Sequence, residues 1–156
     1  MENLIYQGQY LYNKKWNGKG YDENGNIIIE LINGNGKYKE FYDNGKLKFE
    51  GEYLNGKRHG KGKEYFKVGE WKSVDFEGEY LNGKRWNGKV KDYYDYDKLK
   101  FEGEYLNGEI NGKCKEFYSN GKLKIESEYM NGKMLNGKGY DKNGNIAFEI
   151  KMEKVL

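Results

Sequence analysis

KLKFEGEYLNG occupies residues 46–56, and the same eleven residues recur at 98–108. A catalytic centre needs its residues once, whereas a chain that writes one segment again and again builds length or surface. FEGEYLNG begins at Phe49, Phe76 and Phe101, and IESEYMNG at Ile125, at steps of 27, 25 and 24 residues. That spacing is the mark of a repeat array. Upstream, Tyr6-Gln-Gly-Gln-Tyr-Leu is a worn copy of the unit, and Lys14-Lys-Trp-Asn-Gly matches Lys84-Arg-Trp-Asn-Gly. Six units follow, over about 6–29, 30–50, 51–77, 78–102, 103–126 and 127–150, then a short tail.

Each unit alternates with period two, which reads as half-buried strand. Asn-Gly at 24–25, 44–45, 120–121 and 143–144 is a hairpin signal. A two-residue turn at Asn120-Gly121 opposes Tyr118 to Leu123, Phe117 to Lys124, Glu116 to Ile125, Lys115 to Glu126, Lys113 to Glu128 and Gly112 to Tyr129. The same arithmetic around Asn44-Gly45 opposes Lys39 to Glu50, Lys37 to Glu52 and Gly36 to Tyr53. Around Tyr96-Asp97 it opposes Lys91 to Glu102, Lys89 to Glu104 and Gly88 to Tyr105. Opposite charges meet in every case, and a one-residue slip would invert both faces. The second connection, as in residues 54–60, is expected to be longer and variable. One face then carries Lys–Glu pairs. The other carries Leu47, Phe49, Gly51, Tyr53 and their equivalents, with Tyr42, Tyr94 and Tyr118. The fold class is therefore all-β: an elongated, single-layer antiparallel meander of stacked hairpins.

The bulk composition fits a fold with little interior. The 156 residues are 34% charged and 36% hydrophobic, with 17% aromatic residues, 23 glycines and no proline. So many rings argue against disorder, and a thin array buries each unit only against its neighbours. The net charge of +3 comes from 28 basic and 25 acidic residues, interleaved, which speaks against nucleic-acid binding. Neither a signal peptide nor a membrane span is visible, so a cytoplasmic location is the default expectation.

Chemistry is sparse. His59 is the only histidine and Cys114 the only cysteine, so no Cys/His metal site or Cys–His dyad can be assembled. His59 reads as an exposed loop residue, and Cys114 as a tolerated small side chain at a position shared with Tyr38, Gly62 and Val90. Ser73, Ser119 and Ser127 have no histidine partner in sequence. An acid recurs on the tyrosine face as Glu40, Glu64, Asp92 and Glu116, one repeat apart. That is a ladder too long for a paired-carboxylate centre. Trp16 and Trp86 take equivalent positions, and Trp71 lies in an insertion around 68–74. Each is either an interface residue or a cover for its hairpin end. No catalytic residue, cofactor or metal is expected.

The units G-E-Y-L-N-G-K-x-x-G-K and Y-x-N-G-K-L-K-F-E resemble MORN repeats, and more narrowly the bacterial variant whose members often carry an antitoxin-type name. The likeness runs over about residues 6–150 and is strongest in the middle four units. The insertion around 68–74 and the loss of Asn-Gly at Tyr96-Asp97 depart from the pattern and bear on local turns. The resemblance implies a non-enzymatic scaffold for protein contacts, antitoxin- or immunity-like, with lipid association in some eukaryotic members. A carbohydrate or cell-wall module is the alternative, although its Gly-Trp pairs are missing here. Phospholipid headgroup binding would need unpaired lysines on one face. The partner-binding face is expected to carry Tyr53, Tyr80, Tyr105 and Tyr129 with Glu64, Asp92 and Glu116, with Trp16 and Trp86 as loop contacts. The basis is that a single layer has no second sheet to cover its rings. The two open sheet edges invite self-association.

Overall fold

Alternation sends Phe49, Gly51 and Tyr53 to one side of a strand and Glu50 and Glu52 to the other, and every following strand repeats the choice. The computed structural model describes residues 5–66, 74–95 and 98–152. Trp71, Ser73 and the Tyr96-Asp97 turn lie outside the described residues. The strands are β1 (Ile5–Leu11), β2 (Lys14–Tyr21), β3 (Ile27–Ile32), β4 (Asn35–Phe41), β5 (Leu47–Leu54), β6 (Lys57–Tyr65) and β7 (Val74–Leu81). They continue as β8 (Lys84–Tyr93), β9 (Leu99–Leu106), β10 (Glu109–Phe117), β11 (Leu123–Met130), β12 (Lys133–Tyr140) and β13 (Ile146–Lys151). All thirteen form one antiparallel sheet in chain order, and no helix occurs among the described residues. Roughly 4.8 Å per strand makes the meander about 60 Å long.

The charge register holds. Lys37 faces Glu52 and Lys39 faces Glu50, Lys89 faces Glu104 and Lys91 faces Glu102, and Lys113 faces Glu128 and Lys115 faces Glu126. The pairs join into rows that cross the sheet. Lys39, Glu50, Lys63, Glu77, Lys89 and Glu104 oppose one another in turn from β4 to β9. Because each strand carries one sign and its neighbours the other, slipping any strand would disrupt both of its junctions.

The turns differ from expectation. Asn120-Gly121 is not a two-residue turn: Tyr118 donates its N–H to Lys122 at 2.8 Å, and Gly121 donates to Tyr118 at 2.8 Å. This closes a three-residue loop with Gly121 at φ 82°, as hairpins with a following bulge do. Phe117 consequently faces Leu123 rather than Lys124, and the register shifts between Glu116 and Phe117. The longer loop and the bulge cancel, so the pairing from Glu116 outward is what a two-residue turn would give. The tight turns lie at the other end of each hairpin. Asn55 and Gly56 have φ of 52° and 71°, and Leu54 faces Lys57 directly. Asn33-Gly34, Asn82-Gly83, Asn107-Gly108 and Asn131-Gly132 repeat that left-handed pair.

Both ends of the hairpin stack are stapled. At the tight turns, Asn17, Asn35, Asn87 and Asn111 accept with their side-chain oxygens the N–H of Asn33, Asn55, Asn107 and Asn131. At the opposite end, Tyr42, Tyr94 and Tyr118 donate their hydroxyls to the carbonyls of Tyr65, Phe117 and Tyr140. Each bond is worth about 1 kcal/mol, and together they hold successive hairpins in step.

The core lies on the aromatic face and is built by the layer itself. Phe49 and Phe76 are fully buried and Tyr80 is 3% exposed. Glycine makes this possible: a Cβ on Gly62 would stand 2.7 Å from the Phe49 ring, so the ring lies flat on the neighbouring strand. Tyr80 closes one side, at 5.2 Å and edge-on to both Phe49 and Phe76. A second cluster gathers Ile28, Ile29 and Leu31 with Tyr6, Tyr38 and Tyr53 around them. The expectation that no ring of this face could be fully covered is therefore corrected. Glycine floors and neighbouring side chains do the work of a second sheet.

Candidate interaction surfaces

The acid row of the aromatic face divides into two halves. Arg58 and Arg85, the chain's two arginines, take the same place in successive hairpins, opposite Tyr53 and Tyr80. Arg58 reaches Glu40 at 2.8 Å and Glu64 at 2.8 Å. Arg85 reaches Glu64 at 2.5 Å and Asp75 at 2.6 Å. Tyr53 donates its hydroxyl to Glu40, and Tyr80 donates to Glu64 at 2.8 Å. Burial alone would raise the Glu40 and Glu64 carboxyls, but these bonds outweigh it and hold both below the usual range. At Asp75 burial prevails over Arg85, and its carboxyl is raised. Glu40 and Glu64 are thus consumed inside the protein.

Further along, Ile110 and Met134 stand where the arginines stood, opposite Tyr105 and Tyr129. Asp92 pairs with Lys100 at 2.8 Å, and Glu116 with Lys124 at 3.5 Å. Both lysines occupy the bulge position, from which they reach the acid on the preceding strand. Tyr105 and Tyr129 are half-buried. Of the residues expected on one binding face, then, Tyr53, Tyr80 and Glu64 belong to the self-satisfied half, and Asp92, Tyr105, Glu116 and Tyr129 to the more open half.

Toward the N-terminal end the row fails differently. Lys15 occupies the arginine position, opposite Tyr10. Gly20 stands on β2 where Glu64 stands on β6, each facing the next strand's apolar residue, Ile29 or Phe76. No carboxylate among the described residues pairs with Lys15. It donates to the Tyr38 hydroxyl at 3.2 Å and sits 5.2 and 5.5 Å from the Tyr6 and Tyr38 ring centres. Burial lowers its pKa. A pocket of about 390 Å³ opens beside it, lined by Tyr10, Lys14, Leu31 and Tyr53.

Trp16 and Trp86 lie in β2 and β8, not in loops, at the extra residue of a bulge. Both are half-buried. Each ring covers a turn of the next hairpin rather than its own: Trp16 lies on Gly34 and Trp86 on Gly108. His59 is also no exposed loop residue. It is half-buried in β6, and its buried Nδ1 has no hydrogen-bond partner among the described residues. Cys114 is a buried free thiol whose pKa burial pushes up.

The Lys–Glu face carries the large grooves, which sequence reasoning missed. One of about 740 Å³ crosses β3 to β7, its floor the backbone of Gly51, Gly62 and Gly78 and its walls two charged rows. Another of about 680 Å³ crosses β10 to β13. Along the rim of the same face, Leu11, Ile32, Leu54, Leu106 and Met130 are exposed, each in the last pair before a tight turn. Period-two alternation assigns these residues a face but gives no reason for their exposure.

A sheet in which successive hairpins repeat the same contacts defines a repeat array. Residues 34–55 and 110–131 match the MORN repeat variant, and residues 49–71 match the MORN repeat. These stretches of the chain are similar to MORN repeats. These repeats are generally modules for protein or membrane-lipid interaction, and proteins built of them are generally non-enzymatic. No curated protein matches the chain. Among the described residues no helix is long and apolar enough to cross a membrane, and no group of three or more His, Cys, Asp or Glu side chains could hold a metal ion.

Proposed function

We propose that the chain is a non-enzymatic scaffold that binds another protein through the open half of its aromatic face. The observation that carries this is the change at Ile110 and Met134. Where Arg58 and Arg85 neutralise Glu40 and Glu64, whose side chains are 22% and 18% exposed, these two leave Asp92 and Glu116 to lysines, with side chains 39% and 37% exposed, in the stretch that carries the half-buried Tyr105 and Tyr129. Aromatic side chains of that kind, with the more exposed carboxylates in the same stretch, favour a protein contact. The narrower reading, an antitoxin- or immunity-like neutraliser of a toxic partner, draws on the likeness to the bacterial variant.

A second reading rests on the grooves and the aliphatic rim of the Lys–Glu face, which an extended chain would fit. Neighbouring residues on one strand separate the two, because they point to opposite faces. Tyr105→Ser with Tyr129→Ser removes the first surface, and Leu106→Ser with Met130→Ser removes the second. The variants are compared in pull-downs from lysate of the source cells, with circular dichroism confirming the fold. Loss of the captured protein in the tyrosine pair alone supports the first reading, and loss in the leucine–methionine pair alone reverses it. Binding to anionic vesicles, unchanged by either pair and without any captured protein, would overturn both in favour of lipid.

A further inference from the structure

Among the described residues the last strand of the sheet is β13, and its outer edge is poorly defended. Among the described residues β13 has a neighbour on one side only. Ile146, Phe148 and Ile150 are 57%, 44% and 46% exposed, and the strand has no proline, its bulge lying near its start at Ala147. Its charges are Glu149, which meets Lys138 at 3.2 Å, and Lys151, whose side chain is 79% exposed and reaches only Glu149 at 3.9 Å. Long, apolar and unprotected edges are templates for pairing with another strand.

We propose that two copies of the chain join through β13, antiparallel, about a two-fold axis at Ile150. The backbone sets the phase. Met152 donates its N–H to Leu135 at 2.8 Å, so Ile150 also turns its polar groups inward. Glu149 and Lys151 turn theirs outward. With Ile150 opposite Ile150 of the second copy, Glu149 and Lys151 exchange backbone hydrogen bonds with Lys151 and Glu149 across the axis. The side chains then follow the rule of the junctions between β4 and β9. Lysine meets glutamate on one face, twice, and apolar groups meet on the other, Ile150 with Ile150 and Phe148 with Met152.

Other pairings break that rule. A parallel in-register pair would set Glu149 against Glu149. Pairing with β1 would meet Gln7 and Gln9, which face Lys19 and Asn17 on the charged side and offer Glu149 and Lys151 no charge. A head-to-tail contact would also propagate into filaments, whereas an isologous one stops at the dimer. The dimer is a single continuous sheet that presents each surface twice.

The test is a cysteine at the axis. Ile150→Cys in a Cys114→Ser background should form a disulfide-linked dimer on mild oxidation, because facing residues of a non-hydrogen-bonded pair lie about 4.5 Å apart at Cα, within disulfide reach. Tyr10→Cys on the opposite edge should stay monomeric. Without any cysteine added, sedimentation velocity should show a concentration-dependent dimer and nothing larger. Glu149→Lys should weaken it about tenfold through two repulsive pairs, and adding Lys151→Glu should restore it. A monomer at all concentrations together with no Ile150→Cys cross-link overturns the proposal. Species beyond the dimer, or a Glu149→Lys variant that dimerises as well as the parent, overturn it equally.

Discussion

The Arg58 guanidinium lies 4.2 Å from the centre of the Phe49 ring while its nitrogens bond Glu40 and Glu64. One side chain thereby roofs the core and neutralises two acids that would otherwise sit half-buried. Burial would lower the guanidinium's pKa, but Glu40 and Glu64 more than restore it, so the charge is permanent.

Arg58→Met keeps an apolar roof but leaves Glu40 with the Tyr53 hydroxyl and the more distant charge of Lys48, and leaves Glu64 short of one cation. Breaking a buried pair on one side costs about 3–5 kcal/mol, and partial exposure brings the expectation down to about 2–3 kcal/mol. Urea denaturation measures it. Adding Glu40→Gln to Arg58→Met should recover part of the loss, so the two changes are expected to be non-additive.

Phe76→Ala should cost about 3–5 kcal/mol, since Phe76 is fully buried between Tyr80 and Tyr105. Phe148→Ala, on the exposed edge strand, should cost about 1 kcal/mol or less. Equal losses in thermal unfolding would show that the core extends to β13.

Alkali should unfold the protein through its tyrosines. Burial, and then Glu40 or Glu64, raise the Tyr53 and Tyr80 hydroxyls well above the usual 10.0. Above that pH the unfolded chain has released protons that the folded chain still holds. The unfolded state then binds fewer protons, and stability falls as pH rises, by up to about 1.4 kcal/mol per pH unit for each group. Lys15, whose pKa is lowered, acts in the opposite sense. The unfolding midpoint should hold between pH 7 and about 9, then drop from about pH 10. Tyr53→Phe with Tyr80→Phe should flatten that drop.

Gly34→Ala and Gly121→Ala both force alanine into the left-handed region, at φ 75° and 82°, a cost of about 1–2 kcal/mol. Gly121 has open space around it, whereas a Cβ on Gly34 would meet the Trp16 ring at 2.5 Å. The Gly34 change should therefore cost about 1–3 kcal/mol more, with a shift in tryptophan fluorescence. Equal effects would place the Trp16 ring elsewhere.

Much of this sheet was legible in sequence because the Lys–Glu rows and the Gly–Tyr oppositions report the register independently of the turns. The turns themselves misled. Asn-Gly occurs at both ends of the hairpin, and both glycines need positive φ, so the dipeptide does not tell a two-residue turn from a three-residue one. The separating fact is conformational: Asn55 is left-handed along with Gly56, whereas at Asn44-Gly45 only the glycine is. Of the surfaces, the acid row was visible as a period, but its partners were not. The signal was present in LNGKR, written at 54–58 and again at 81–85, which places the chain's only arginines at one position in two successive hairpins. The grooves had no sequence signal, since alternation assigns a face and says nothing of its depth.

The cancelling of loop and bulge also bears on how such a chain grows. From β4 to β9 every strand is entered and left with its charges in the same order, so a stretch of 52 residues, the distance between the two copies of KLKFEGEYLNG, can be copied or deleted by unequal recombination without mismatching a junction. Each such event lengthens or shortens the molecule by four strands, about 19 Å, and leaves the chemistry of the two ends untouched. The sheet is in that sense a ruler whose graduations can be inserted whole, and its span can be selected separately from what it holds.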